Sequence, residues 1–199
     1  MKRIIKSFFI ASVMSVLLTL PFSCNKNHTP KPIGFLRIEF PEKQYQRFDT
    51  TFPYSFDYPT YATISSNTYS KDEKYWINVD FPEYKGKLHI SYKTFNDIET
   101  LKKLTEDARV LAMKHIPKAT GMQYIEVSNA QKNVYGLIYK IGGADVASTY
   151  QFYLTDSIKN YLRGALYFSV IPNNDSLSPV INFIEEDINE LINTFEWKY

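Results

Sequence analysis

YWINVDFPEYKGKLHISYK, residues 75–93, carries the clearest strand pairing in the chain. Ile77, Val79 and Phe81 alternate on one face of a first strand, and Leu88, Ile90 and Tyr92 on one face of a second. Pro82 to Lys87 makes the turn, with Gly86 supplying permissive dihedrals. The opposite face then carries Trp76, Asn78 and Asp80 beside His89, Ser91 and Lys93. One apolar face and one polar face mark an antiparallel pair that buries a single side.

Downstream of this hairpin the period changes from two to three and four. Leu101, Leu104, Ala108, Leu111 and His115 make one helical stripe, so a helix is expected over about 96–116. Asn96 and Glu99 form a capping-box-like pair at its start, and Pro117 stops it. Four further strands are expected at about 122–128, 133–141, 146–154 and 161–171. Gly142-Gly143 and Thr155 to Asn160 serve as turns between them. A second helix is expected over about 179–195, capped by Ser178 with Pro179 in the first position. Its stripe is Ile181, Ile184, Ile188, Leu191, Ile192 and Phe195, and Glu185, Glu186, Asp187 and Glu190 lie off it.

Upstream, Gly34 to Asp49 opens as a short alternating run that breaks at Pro41, and Phe52 to Tyr58 reads as an edge strand ended by Pro59. Strands and helices do not alternate regularly. The expected class is therefore α+β: a mainly antiparallel sheet of about six strands with two packed helices.

The N-terminus reads as a leader. Lys2, Arg3 and Lys6 precede the uncharged run Phe8 to Ser23, and the chain turns polar directly after Cys24. That run is shorter than the roughly 20 residues that span a bilayer. A lone cysteine after a small residue points to a lipoprotein leader over 1–23, with Cys24 acylated, palmitate among its chains, as the new N-terminus. Pro21 stands where such a box usually has leucine, with Leu20 one place earlier. Residues 24–33, with two prolines, form a stiff tether. Residues 34–199 are expected to form one globular domain.

Without residues 1–23 the chain is 176 residues long. The leader takes three of the 23 basic residues and none of the 21 acidic ones, which leaves 20 against 21. No basic stripe remains, so nucleic acid is not an expected partner. One cysteine excludes a disulfide framework within the chain and a cysteine-based metal site. The 16 Tyr and 14 Phe suit a half-buried sheet and equally suit a sugar- or protein-binding face.

Motifs for chemistry are sparse. Gly142-Gly143-Ala144-Asp145 lacks the Lys-Ser/Thr tail of a phosphate loop and reads as a turn. No histidine pair has metal-ligand spacing, so neither a metal nor another cofactor is expected. Ser148, Ser157 and Ser176 lie near Asp145, Asp156 and Asp175 without a nucleophile elbow, so no catalytic residue is assigned. Glu185-Glu186-Asp187 reads as a solvated helix face. Asp156 and Arg163 flank a turn and read as a structural ion pair or, alternatively, a partner contact. The candidate interaction face is thus Trp76, Asn78, His89, Ser91, Asp156 and Arg163.

Five blocks together bear a family resemblance: TPKPIGFLRIEFPEKQY (29–45), FPEYKGKLHISY (81–92), EDARVLAMKHIPKA (106–119), QFYLTDSIKNYLRGALYF (151–168) and PNNDSLSPVINFI (172–184). The chain resembles the gliding-motility lipoprotein D family of Bacteroidetes over essentially all of its length after the leader. Ile33 and Asn160 depart from the pattern, where Arg and His are usual. The resemblance implies a non-catalytic envelope lipoprotein that supports gliding and type IX secretion. Its partners would be the membrane, through acylated Cys24, and other envelope lipoproteins of that machinery, which it would stabilise or assemble. The expected location is the periplasmic face of the outer membrane. The alternative is a periplasmic module binding peptidoglycan or another glycan. In layout the pattern also resembles the PsbP/Mog1-like fold.

Overall fold

The computed structural model describes residues 38–67 and 73–199. In chain order the strands and helices are β1 (Tyr45–Phe48), β2 (Tyr54–Pro59), β3 (Thr63–Ser66), β4 (Ile77–Phe81), β5 (Gly86–Thr94), α1 (Ile98–Met113), β6 (Gly121–Asn129), β7 (Val134–Gly142), β8 (Tyr150–Thr155), β9 (Asn160–Phe168), α2 (Asn174–Thr194) and β10 (Glu196–Trp197). Seven strands form one sheet in the order β3-β4-β5-β9-β8-β7-β6, and β1-β2-β10 form a second. Every pairing is antiparallel. Among the described residues the class is α+β with two helices, as expected. The ten strands exceed the expected number of about six chiefly because β1, β3 and β10, of two to four residues each, are too short to show a period.

β4 and β5 turn the expected faces to each side, but the turn is shorter than Pro82 to Lys87: β5 starts at Gly86 opposite Phe81, which sets Val79 opposite Leu88 and Asn78 opposite His89. Their turn differs in detail. Lys85, rather than Gly86, takes the left-handed conformation, at φ 50°. Gly86 matters for contact: a Cβ there would lie 3.0 Å from the Ile184 side chain and 3.2 Å from Phe168.

Alternation along β4, β5, β8 and β9 turns Ile77, Val79, Leu88, Ile90, Phe152, Leu154, Leu162 and Leu166 to one face. There they pack on Phe183, Ile184, Ile188 and Leu191 of α2 and on Tyr54, Phe56 and Trp197 of the small sheet. At about 25 cal/mol per Å² of apolar surface, this continuous core is the main stabilising term. α1 lies on the opposite face. Ala112 packs with Tyr139, Ile141 and Val146, and Leu101 with Phe95 and Tyr161.

Several local expectations are corrected. β2 is the middle strand of the small sheet, not an edge. The Asp97 carboxylate caps α1, accepting from the Thr100 N–H and hydroxyl, both at 2.8 Å. Glu99 pairs instead with Lys102. Ala112 takes the buried place expected for Leu111, which is 37% exposed. His115 lies past the helix end, before the 3₁₀ turn Ile116–Lys118. β8 begins at Tyr150, four residues later than expected, after a loop that opens on Gly143 at φ 144°.

α2 begins at Asn174 with Asn173 as cap, so Pro179 is inside the helix. Its missing N–H would leave the Asp175 carbonyl without a partner. The Ser178 hydroxyl donates to that carbonyl at 3.1 Å, which is how the proline is tolerated.

The acidic run on α2 is not a solvated face. Only Glu186 is exposed; Glu185 and Asp187 are buried. Lys140 reaches Glu185 at 2.6 Å. Burial pushes the Glu185 carboxyl up, and the Lys140 ammonium opposes it. Asp187 accepts from Lys43 Nζ at 2.7 Å, from the Tyr61 hydroxyl at 2.5 Å and from the Tyr45 hydroxyl at 3.1 Å. Burial first, then Asp187, holds both phenols well above their usual range, so they stay neutral donors. This cluster ties the chain before β1 to α2.

Candidate functional site

The polar face of the β4–β5 hairpin extends across the large sheet. Pairing registers place Ser65, Asn78, His89, Ala165, Gln151 and Tyr139 in one transverse row over six strands. α1 covers the β7–β9 end of this face through Ala112 and Leu101 but leaves the β4–β5 end open. A groove of about 450 Å³ runs between the uncovered floor and the helix. Trp76, His89, Ser91 and Arg163 line its floor side, and Leu104, Leu111 and Lys114 its helix side.

Most neutral polar groups of the floor are bonded to one another. His89 Nδ1 lies 2.7 Å from Asn78 Oδ1, so Nδ1 carries the proton. The Asn78 amide in turn donates to Ser65 Oγ at 3.3 Å. Trp76 Nε1 donates to the Tyr92 carbonyl at 2.7 Å, and Ser91 Oγ to the Arg163 carbonyl at 3.4 Å. Asp80 accepts from the Ser65 hydroxyl and pairs with Lys87 at 2.7 Å.

Arg163 differs. Its guanidinium donates to Gln151 Oε1 at 2.6 Å and bonds the Tyr167 hydroxyl, two neutral partners, and burial lowers its pKa. It makes no ion pair among the described residues. Gln151 is 1% exposed and its Nε2 has no partner among the described residues. His89 and His115 both rest against the Tyr167 ring. Burial, then Lys87 for His89 and Arg163 for His115, holds each imidazole below its usual pKa.

The expected face is thus mostly assembled: Trp76, His89, Ser91 and Arg163 meet in the groove, with Asn78 bonded to His89. Asp156 is not part of it, and the expected Asp156–Arg163 ion pair is absent. Asp156 organises the β8–β9 turn instead. Its Oδ1 accepts from the N–H groups of Ile158, Lys159 and Asn160, each at 2.9 Å. Burial alone pushes the Asp156 carboxyl up; these N–H groups and the Asn160 amide outweigh it and hold the carboxyl below its usual range. Asn160 also accepts from the Tyr92 hydroxyl at 2.6 Å, so the position that departs from the family pattern is a buried structural one.

The helix side of the groove was not legible as a site. Its one trace in the sequence is Val110-Leu111 beside Ala108 and Ala112. Two alanines four apart let the helix approach the sheet, which leaves the larger neighbours on the flank. Among the described residues no His/Cys/Asp/Glu group could hold a metal ion. Cys24, the leader and the tether lie outside the described residues.

A family model described as gliding motility lipoprotein GldD matches residues 25–197. The chain belongs to the GldD family. This gives it a gliding-motility lipoprotein role and association with the cell envelope through a lipid anchor. No curated protein sequence matches the chain. It is similar to the solution structure of cyanobacterial PsbP (CyanoP) from Synechocystis sp. PCC 6803, at 13% identity and a TM-score of 0.46, over 84% of this chain and 99% of that one.

Proposed function

We propose that the protein is a non-catalytic lipoprotein that supports gliding motility and type IX secretion by stabilising or assembling partner envelope lipoproteins. Membership of the GldD family carries this reading. The matched stretch begins at the residue after Cys24, which supports acylation there. An acylated Cys24 confines the domain to a thin layer at the membrane, and confinement raises its effective concentration for partners in that layer. The periplasmic face of the outer membrane is the proposed site. The non-catalytic reading draws support from the groove, where His89 is tied to an amide and the neighbouring Asp80 to a lysine.

Deleting the gene should lower the amounts of the other motility lipoproteins and the secretion of type IX cargo. Normal levels of both would end the proposal. Anchoring has its own test: Cys24→Ala should move the protein from the membrane to the soluble envelope fraction. Membrane retention of that variant would refute acylation as the anchor.

A further inference from the structure

We propose that the groove between α1 and the β4–β5–β9 floor binds an acidic peptide segment of a protein partner, with a carboxylate on Arg163 and an apolar side chain against Leu104 and Leu111. The proposal rests on the partner-binding reading above and gives that reading a site. Arg163 is half-buried, and a guanidinium partly withdrawn from water is stabilised by a carboxylate. Among the described residues Arg163 faces the amide oxygen of Gln151 and the Tyr167 hydroxyl and no carboxylate. Its planar fork of five N–H donors matches a carboxylate in shape and charge.

The groove has a matching field. Arg163, Lys93 and Lys114 line it against a single carboxylate, Asp107. Lys93 and Lys114 are exposed, so an approaching acid meets them first. None of these three cations forms an ion pair among the described residues.

The same inventory argues against a sugar. A glycan needs free neutral donors and acceptors for its hydroxyls. Here the Asn78 and His89 side chains bond each other, and the Trp76 N–H is taken by Tyr92. What stays available is positive charge on one side and apolar helix surface on the other. Leu111 at 37% exposed and Val110 at 43% form an apolar wall beside the cations. Acid next to aliphatic is the chemistry of a peptide. A volume of about 450 Å³ is within the range of small-ligand pockets and holds a few residues.

The test uses the full mature lipoprotein in detergent and reads the Arg163 Nε–H and Trp76 indole N–H signals by NMR. Three probes are titrated. The first is a pool of N-acetylated tetrapeptide amides with Leu or Phe at positions 1 and 3 and Glu or Asp at 2 and 4. The second is the same pool with Gln or Asn in place of the acids, and the third is the N-acetylglucosamine tetramer. The acidic pool should move both signals saturably, bind about ten-fold or more tightly than the amide pool, and weaken as salt rises. Arg163→Gln should cost about ten-fold or more. Lys114→Glu, on the exposed rim, should weaken binding several-fold with no change in melting temperature, whereas Lys118→Glu, outside the groove, should not. No saturable shift, equal binding of the amide pool, indifference to Lys114→Glu, or tighter binding of the glucosamine tetramer would each overturn the proposal. The gene-deletion result is independent of this one, so the site can fail while the supporting role stands.

Discussion

Asp187→Ala is expected to lower the stability of the domain by about 3–5 kcal/mol, the range for breaking a buried ion pair from one side. The Asp187 carboxylate is 1% exposed and accepts three bonds, from Lys43, Tyr61 and Tyr45. Removing it leaves an ammonium and two phenols without their acceptor. The Lys43 Nζ retains the Phe183 carbonyl at 2.6 Å, the Tyr61 hydroxyl oxygen at 3.2 Å, the Phe183 ring at 3.4 Å and the longer Glu186 contact at 3.8 Å, none of which replaces the close carboxylate. For a domain of this size, the loss moves the melting midpoint down by on the order of 10 °C. A chemical melt that shows a lower midpoint at unchanged slope checks it. The double variant Lys43→Met with Asp187→Leu should recover much of the loss, because an apolar pair of similar volume leaves no charge buried. A single variant as stable as the parent would show that the cluster does not hold the chain before β1 on α2.

Gly136→Ala is the second large effect, at about 3 kcal/mol or more. A Cβ at Gly136 would lie 1.9 Å from the Tyr153 carbonyl oxygen and 3.0 Å from its carbon. The obstacle is backbone of the paired strand β8, so β7 and β8 must part to admit a methyl group. Gly164 is a useful contrast. There a Cβ would meet the Phe152 ring at 2.2 Å, a side chain that can be trimmed. Phe152→Ala should therefore relieve Gly164→Ala and leave Gly136→Ala unrelieved. Gly121→Ala, with nothing within 4 Å, is the control and should melt like the parent. A Gly136→Ala protein that melts like the parent would refute the close approach of β7 and β8.

Much of the fold was legible because its signals are local. Alternation over Tyr75 to Lys93 gave the hairpin and its faces, since a slip of one residue would have exposed Ile77, Val79 and Phe81; a shift of two keeps the faces, so the shorter turn that pairs Phe81 with Gly86 was not legible. The helix stripes were read from period alone. Helix ends were less legible. Asn96 and Asp97 can both cap, and only Thr100, offering its N–H and hydroxyl to one carboxylate, separates them. Pro179 reads as a first-turn residue until the Ser178 hydroxyl is seen covering the carbonyl it leaves open.

The candidate site was legible in part for the same reason. Trp76, Asn78, His89 and Ser91 share a face by strand alternation. Their neighbours across the groove depend on how α1 packs, and Ala108 and Ala112 set that distance only in three dimensions. Asp156 and Arg163 look paired in sequence because they flank one turn. The backbone N–H groups of that turn hold Asp156, and Arg163 bonds across to β8.

The antiparallel hairpin and the two amphipathic helices of the described residues follow from residue order alone, because each depends on neighbours a few positions apart. Which acids are buried does not. Glu185, Glu186 and Asp187 are consecutive, yet Glu185 meets Lys140, Asp187 meets Lys43, and Glu186 stays in water. Burial makes a charge depend on a partner that the chain brings from far away, 144 residues in the case of Lys43 and Asp187. The same long-range closure leaves Arg163 beside an open groove with no ion-pair partner among the described residues.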